Sequence, residues 1–223
     1  MNIKTQFRNR NDLKDKSYLE VKKFADEGDF VAIFEYGMRL YSESNYEESF
    51  KYLYSIKDAD NFFIWERLVD LNDYLKDKMS DEEVFELLVK IHSKVANAYS
   101  YQLAECYEKG IGCKKDLDKY IEILTKCAND GSSYATIELA ENYEKGYGVE
   151  KSLQKAYELY SNYVDDHFRK DYWCAYKTAL YMLNEWGGAT KDMNSIKYNL
   201  EYASKVHKEA RELYKQLFNE DPK

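Results

Sequence analysis

Hydrophobic residues recur along most of the chain at intervals of three and four, the spacing that places side chains on one face of an α-helix. Between Leu117 and Cys127 the apolar positions are separated by three, four and three residues, and the same intervals recur from Leu153 to Tyr163. Polar residues separate these stripes, so each helix is predicted to have one packed face and one solvated face. The pattern predicts a chain made of amphipathic helices.

One stretch of sequence occurs twice. "LAECYEKGIGCKKDLDK" begins at Leu103 and "LAENYEKGYGVEKSLQK" begins at Leu139, 36 residues later. Between residues 99–119 and 135–155, 11 of 21 positions are identical. Because each copy places a stripe, a glycine-containing turn and a second stripe in the same order, each predicts one helix–turn–helix unit.

Turn and capping residues define the boundaries within each copy. Gly110 and Gly146 fall where the first helix should end, and glycine adopts the left-handed conformation common at that point without steric cost. Asp116 and Ser152 occupy the position predicted to cap the second helix. A phosphate-binding loop would need a preceding strand and a further glycine, so the inter-helix turn is the favoured interpretation.

A third copy is weaker. Trp186 takes the place of the first glycine, Gly188 keeps the second, and Asp192 is the predicted cap of the following helix. The third copy starts 40 residues after the second, and the four additional residues are assigned to a longer connection around 165–173.

These residues resemble the Sel1-like repeat family, a relative of the tetratricopeptide repeats. The positions that fit its LAxxYxxGxGV core are Leu103, Ala104, Tyr107, Gly110 and Gly112 in the first copy, and Leu139, Ala140, Tyr143, Gly146, Gly148 and Val149 in the second. Cys113 departs from the pattern, which has Val at its place. The resemblance implies stacked helix–turn–helix units and an adaptor role in signalling, secretion, envelope biology or protein quality control.

The whole chain is predicted to be an all-α, right-handed α-solenoid of about five helix–turn–helix repeats, with ten or eleven helices. A single Pro and nine Gly leave few helix breakers in 223 residues. Residues 1–16 are predicted to be a basic N-terminal tail, and residues 17–223 a single repeat domain closed by a C-terminal capping helix. Ser80 with Glu83 makes a capping box at the start of one helix.

The charge distribution favours a protein partner. The net charge is −8, and residues 1–24 contain seven Lys/Arg and three Asp/Glu, which leaves the remainder at −12. This balance opposes nucleic-acid binding, except through the basic first 24 residues, which is kept as an alternative. An acidic body is either an ordinary solvated face or a surface for a partner with a basic surface. Without an apolar run or a signal peptide, no membrane insertion is expected and a cytoplasmic location is predicted.

The sequence predicts neither an enzyme nor a cofactor or metal site. The four cysteines form no CxxC pair, and no P-loop, HExxH, GxSxG or EF-hand pattern occurs. An enzyme with a groove site built from His92 or His167 and two carboxylates is the alternative from a different class. The acidic pairs that could take part, Glu47–Glu48, Glu82–Glu83 and Asp165–Asp166, are mostly explained by helix starts.

The 23 tyrosines exceed what the repeat positions require. Tyrosine is enriched at binding hot spots because it offers a large contact area at a small entropic cost. By spacing, five lie off the packed stripes and are the predicted partner-binding residues, the alternative being ordinary packing: Tyr101, Tyr134, Tyr147, Tyr157 and Tyr176. The predicted function is a non-catalytic protein-interaction scaffold that binds its partner on a concave surface. A narrower hypothesis is an immunity protein that neutralises a bacterial toxin.

Overall fold

The computed structural model describes residues 6–76, 78–95, 99–165 and 171–222. Within these ranges the chain forms twelve α-helices and two short 3₁₀-helices, and the described residues contain no strand. The all-α prediction is therefore confirmed, although the expected count of ten or eleven helices was too low. The helices are organised into two units, unit 1 (Met1–Tyr99 with Ile111–Lys114) and unit 2 (Ser100–Gly110 with Lys115–Lys223).

Unit 1 contains five helices that pack largely in sequence order. They are α1 (Tyr18–Asp26), α2 (Phe30–Ser42), α3 (Tyr46–Tyr54), α4 (Phe62–Leu75) and α5 (Asp81–Lys94). The predicted capping box at the start of α5 is present, since the Ser80 hydroxyl accepts from the Glu83 N–H and the Glu83 carboxylate accepts from the Ser80 N–H. Helix α1 is the one that the expected count omits.

Helix α1 begins with a capping signal of the same kind. Ser17 Oγ accepts from the Glu20 N–H, and the Glu20 carboxylate accepts from the Ser17 N–H. The S-x-x-E pattern is therefore present in the sequence, but it lies among basic residues at the edge of the predicted tail. Local capping energy and burial of Val21 and Ala25 make this segment a helix.

Residues just before α1 are also folded onto the unit. A 3₁₀-helix spans Arg10–Leu13, and Leu13 is fully buried. The half-exposed Arg10 guanidinium lies 2.5 Å from Glu35 Oε2 of α2, and Glu35 also pairs with Arg39 at 2.8 Å. This part of the predicted basic tail lies against α2, whereas the proposed division into a tail and one continuous domain stays a prediction.

Unit 2 contains seven helices, each packed on the next one along the chain. They are α6 (Ser100–Lys109), α7 (Leu117–Asn129), α8 (Ser133–Lys145), α9 (Leu153–Asp165), α10 (Tyr172–Asn184), α11 (Met193–Ala203) and α12 (Lys208–Phe218). Packing between sequential neighbours is the arrangement of a helical repeat protein, in which each unit buries its apolar stripe against the next. Ala210 and Tyr214 of α12 are buried where the helix packs on α11, as their spacing predicts.

The turns of the first two copies have the predicted geometry. Gly146 ends α8 in the left-handed conformation at φ 74°, and Gly110 has a φ of 76° at the end of α6. Asp116 accepts from the Lys119 N–H, and Ser152 accepts from the Lys155 N–H, so both predicted caps are confirmed. In both copies the left-handed glycine ends the first helix and lets the chain turn towards the second.

The third turn begins one residue earlier than the sequence alignment predicts. Glu185, at φ 57°, takes the left-handed position at the end of α10, and a 3₁₀-helix follows over Trp186–Gly188. The backbone of this turn approaches the start of α9 at Gly187, where an added Cβ would lie 2.3 Å from the Leu153 carbonyl oxygen. A Cβ added at Gly188 would meet nothing within 4 Å. Asp192 caps α11 as predicted.

Buried tyrosines supply much of the core of unit 2. Tyr120, Tyr160, Tyr181 and Tyr214 are among the largest side chains that are fully buried. Part of the tyrosine surplus is therefore structural, and spacing alone does not separate these residues from binding positions. None of the helices in the described part combines the length and apolar character required to cross a bilayer.

Candidate functional site

An open cleft in unit 2 combines tyrosine rings with carboxylates. Its volume is about 370 Å³. We call it the Tyr–Glu cleft, and it is lined by Glu108 of α6, Tyr120 of α7, Tyr134, Ile137, Glu138, Glu141, Asn142 and Lys145 of α8, and Tyr147 of the turn that follows. Helix α8 supplies most of the lining because its positions 134, 137, 138, 141, 142 and 145 recur at helical spacing on one face.

The floor of the cleft is a hydrogen-bonded chain. The Tyr120 hydroxyl donates to Glu138 Oε1 at 2.8 Å and accepts from Asn142 Nδ2 at 2.9 Å. Burial raises the pKa of Tyr120 above its usual value, and the nearby carboxylates of Glu138 and Glu108 raise it further. Tyr120 therefore stays protonated and holds Glu138 in place as an acceptor.

The second oxygen of Glu138 is left without a partner. Oε2 is buried, and it has no hydrogen bond among the described residues. A buried acceptor that makes no hydrogen bond costs free energy, and donors from a bound molecule would recover that cost. Since Oε1 is held by Tyr120, the remaining acceptor capacity of this carboxylate belongs to Oε2.

Cationic groups of the protein itself lie at the rim of the cleft. Lys145 Nζ is 2.9 Å from Glu141 Oε2, and the lysine side chain is 64% exposed. Lys115 Nζ donates to the Tyr147 hydroxyl at 3.1 Å. Neither rim lysine pairs with Glu108 or Glu138, the other two carboxylates of the lining.

An exposed tyrosine pair extends from the cleft. The Tyr134 hydroxyl donates to the Tyr101 hydroxyl at 3.0 Å, and the two rings meet edge to face with centroids 4.7 Å apart. Tyr134 is 54% exposed and Tyr101 is 42% exposed. The hydrogen bond to Tyr101, burial and the charge of Glu138 together raise the pKa of Tyr134. The pair forms a neutral aromatic surface next to the carboxylates.

The structure divides the five predicted partner-binding tyrosines into two groups. Tyr134 and Tyr147 line the Tyr–Glu cleft, and Tyr101 contacts Tyr134 beside it. Tyr157 stacks on Tyr181 with centroids 5.9 Å apart, and Tyr176 packs against Trp173 at 5.6 Å. Both of these are partly buried against the hydrophobic core. A binding role for any of the five stays a prediction.

Sequence reasoning missed the interior of the cleft. The spacing assigns Tyr120 to the packed stripe of its helix, and it does not single out Glu138 or Asn142. Their separation of four on α8 was a signal that both would project to the same side. The contact with Tyr120, 18 residues before Glu138, depends on how α7 packs against α8 and could not be inferred from spacing.

At the equivalent position one repeat later, which we call the filled place, side chains of the same chain contact the glutamate. Glu144 stands 36 residues after Glu108 in the repeated sequence. Lys177 Nζ lies 2.7 Å from Glu144 Oε1, and the Tyr181 hydroxyl donates to the same oxygen at 2.8 Å. The Lys177 ammonium is also 5.2 Å from the centroid of the Tyr160 ring.

The same combination of cation, carboxylate and tyrosine ring occurs in unit 1. Lys57 Nζ lies 2.5 Å from Glu83 Oε1 and 4.2 Å from the centroid of the Tyr54 ring. Arg67 donates to Asp70 Oδ2 at 2.7 Å, and its guanidinium carbon lies 4.5 Å from the centroid of the Tyr41 ring. Lysine or arginine is therefore the group that this chain itself places between tyrosines and carboxylates.

The alternative catalytic site was predicted to use His92 or His167 with two carboxylates. No group of three or more His, Cys, Asp or Glu in that part of the chain could hold a metal ion. His92 lies on α5 in unit 1 and does not line the Tyr–Glu cleft, while His167 and Asp166 lie outside the described residues.

Comparison with known families identifies the repeated sequence. The family described as Sel1 repeat matches residues 99–129 and 133–161, which are α6–α7 and most of α8–α9. This match confirms the resemblance carried by the two glycine-containing copies. No match is found among curated protein sequences.

Two solved structures share the arrangement of helices. A Sel1 repeat protein from Oxalobacter formigenes is 20% identical, with a TM-score of 0.65, and the match covers 81% of this chain and 73% of the other. The protein c5321, a protective antigen present in uropathogenic Escherichia coli strains and displaying an SLR fold, is 13% identical with a TM-score of 0.58. That match covers 92% of this chain but only 52% of c5321. At these identities the likeness concerns the fold alone.

Proposed function

Because this chain carries two Sel1 repeats within a series of paired helices, we propose that it is a non-catalytic scaffold that binds a protein partner. Sel1 repeats commonly form protein-interaction scaffolds. The single observation that carries the proposal for this chain is the Tyr–Glu cleft, which lies within the repeats and has exposed aromatic side chains beside it. Helical repeats present side chains of successive units on a shared surface, which suits recognition of another protein.

The chemistry of the cleft supports a protein ligand. Tyr134 and Tyr101 offer large, rigid contact surfaces whose hydroxyls are already oriented by their mutual hydrogen bond. Aromatic side chains that become buried on binding commonly contribute most of the binding free energy at protein interfaces. The excess of acidic residues beyond residue 24 favours a partner with a basic surface, because complementary charge accelerates association and selects the partner.

Narrower hypotheses concern the identity of the partner and the location. An immunity protein would bind and neutralise a bacterial toxin, whereas an adaptor would connect components of a signalling or secretion system. Both would use the same kind of surface, and recovery of the partner would distinguish them. A cytoplasmic location and a concave binding surface are parts of this proposal that stay predictions.

The proposal is tested by isolating a partner and reconstituting the complex. Chemical cross-linking in the native cell, followed by purification and mass spectrometry, should recover one predominant protein, which is then purified and titrated against this chain by calorimetry. Tyr134→Ala should weaken the complex by about tenfold, the loss expected for an aromatic hot-spot residue.

A matched control shows whether the effect belongs to the cleft. Tyr198 of α11 is 55% exposed, close to the 54% of Tyr134, but does not line the cleft. Tyr198→Ala should leave the affinity unchanged. Equal affinities for the two variants would place the interface elsewhere, and failure to recover any cross-linked protein would contradict the scaffold function itself.

A further inference from the structure

We propose that the Tyr–Glu cleft receives an arginine side chain of the protein partner, an inference that rests on the scaffold function proposed above. The partner residue would insert its guanidinium between the carboxylates of Glu108 and Glu138, beside the tyrosine rings. Lysine would be the weaker occupant of the same place. Four features of the described residues support this assignment.

The first feature is charge. Three glutamates and one lysine line the cleft, and Lys145 is engaged by Glu141 at the rim. Glu108 and Glu138 therefore face a cleft that is partly shielded from water, where an opposite charge is attracted more strongly than at an open surface. Lys115 contacts the outer hydroxyl of Tyr147 and leaves this inner acidic part unneutralised.

The second feature is the unpartnered oxygen. Glu138 Oε2 is buried and accepts no hydrogen bond within the described residues, while Oε1 is fixed by the Tyr120 hydroxyl. A donor that reaches Oε2 would meet an acceptor that is already oriented. Arginine carries five N–H donors in a planar fork, so one side chain can reach Oε2 and a second carboxylate at once, whereas lysine presents a single ammonium.

The third feature is the aromatic lining. Tyr120, Tyr134 and Tyr147 border the cleft together with Ile137. A guanidinium can stack on a tyrosine ring, and its aliphatic stem can pack on apolar side chains. The cleft thus offers surfaces for both the charged and the apolar parts of the same residue.

The fourth feature is the equivalent position in the next repeat of unit 2, where a lysine of the chain already pairs with the glutamate. Glu144 corresponds to Glu108, and there Lys177 occupies the space between the carboxylate and the Tyr160 ring. Helices α8 and α10 begin, end and bury their side chains at positions 39 residues apart, so Lys177 corresponds to Glu138. The first position therefore lacks the cation that the chain supplies at the second, and a partner would supply it.

The test uses a short peptide as the probe. Acetyl-Ala-Ala-Arg-Ala-Ala-amide is titrated into the isotopically labelled full chain and followed by NMR, beside the same peptide with citrulline, which has nearly the same shape as arginine but no charge. The arginine peptide should shift signals of α6, α7, α8 and the turn at Tyr147, with a dissociation constant on the order of 1 mM for so small a ligand. The citrulline peptide should bind about tenfold more weakly.

Variants connect the binding to the named carboxylates. Glu138→Gln should weaken the arginine peptide by about tenfold, because it removes the charge and an acceptor while keeping the shape. Glu150→Gln, an identical change at an exposed residue outside the cleft lining, should have no effect. If Glu138→Gln disturbs the far-UV circular dichroism, Glu108→Gln replaces it as the test variant.

Several outcomes would overturn the inference. Equal binding of the arginine and citrulline peptides, signal changes confined to residues away from the cleft lining, or equal affinities of the Glu138→Gln and Glu150→Gln variants would each contradict it. An isolated partner whose complex is insensitive to Glu138→Gln would contradict the arginine site and leave the scaffold function standing. Absence of any protein partner would instead contradict the scaffold function.

Discussion

Two successive repeats of unit 2 place a glutamate at the same position and use it differently. Glu144 is bound by Lys177 and Tyr181 of α10, whereas Glu108 borders the open Tyr–Glu cleft. Because α8 and α10 match with an offset of 39 residues, Glu138 and Asn142 of α8 take the places of Lys177 and Tyr181. The difference shows that two substitutions on the neighbouring helix separate a self-neutralised structural carboxylate from an accessible one.

The two positions differ in which groups neutralise the charge of the glutamate. At Glu144 the charges and hydrogen bonds are satisfied within the fold, and both partner side chains are mostly buried, with 17% and 20% exposure for Lys177 and Glu144. At Glu108 and Glu138 we propose that another molecule supplies the same kind of interaction. A repeat protein can therefore convert one structural position into a binding position without changing its backbone arrangement.

The largest effect is expected from removing the cation of the filled place. Lys177→Ala would leave Glu144 mostly buried without its ion-pair partner, and the free energy of unfolding should fall by about 2 kcal/mol. The measurement is urea denaturation followed by far-UV circular dichroism. Lys145→Ala is the matched control, because its pair with Glu141 is exposed and should contribute less than about 0.5 kcal/mol. Equal losses in the two variants would contradict the distinction between filled and open places.

A second experiment transfers the filled arrangement to the cleft. Glu138→Lys introduces the residue type that occupies the corresponding place at Lys177, so its ammonium should neutralise Glu108 from within the chain. The arginine peptide should then bind about tenfold more weakly than it binds to the Glu138→Gln variant. Calorimetric or NMR titration of this variant is compared with Glu138→Gln, which removes the carboxylate without supplying a cation. Equal affinities of the lysine and glutamine variants for the peptide would argue against the proposed equivalence of the two positions.

A smaller effect is expected in unit 1, where Lys57 and Glu83 form an ion pair. The contribution of this pair to the free energy of unfolding should depend on pH. Bonds to Lys57, Tyr54 and the Ser80 N–H lower the pKa of Glu83 to about 2. A carboxyl with a lowered folded-state pKa stabilises the fold above its unfolded pKa, and this contribution is lost as the pH falls from about 4.5 towards 2.

Glu83→Gln should therefore reduce stability at pH 7 by about 1 kcal/mol, a value limited by solvent screening because a third of the side chain is exposed. The difference between the variant and the parent should shrink as the pH is lowered. Urea midpoints at pH 7 and pH 3 measure this change, with Glu82→Gln as the control at the neighbouring exposed position. A difference that stays constant with pH would show that the Glu83 ion pair is not its source.

Particular residues show how far sequence reasoning reached. The repeated glycines, the caps at Asp116, Ser152 and Asp192 and the capping box at Ser80 act through local geometry, and all of them were predicted in their observed roles. The third turn was placed one residue away because the close approach at Gly187 depends on the Leu153 carbonyl of another helix. Contacts between segments distant in sequence leave no regular spacing to recognise.

The tyrosines illustrate the same limit at the candidate site. Helical spacing placed Tyr101, Tyr134 and Tyr147 off the packed stripes, and the structure places them at or beside one cleft. The same criterion also selected Tyr157 and Tyr176, which pack partly buried against the core. Spacing determines the side of a helix on which a residue lies, but not whether a neighbouring helix covers that side.

The sequence by itself determined the helices, their caps and the repeated helix–turn–helix unit, because these depend on interactions within a few residues. Only the tertiary structure decided which carboxylates are neutralised and which stay accessible. The pairing of Glu144 with Lys177 and the hydrogen bond between Tyr120 and Glu138 join different helices, so they depend on how those helices pack. Local periodicity produces the repeat, and packing between repeats distinguishes the filled place from the open cleft.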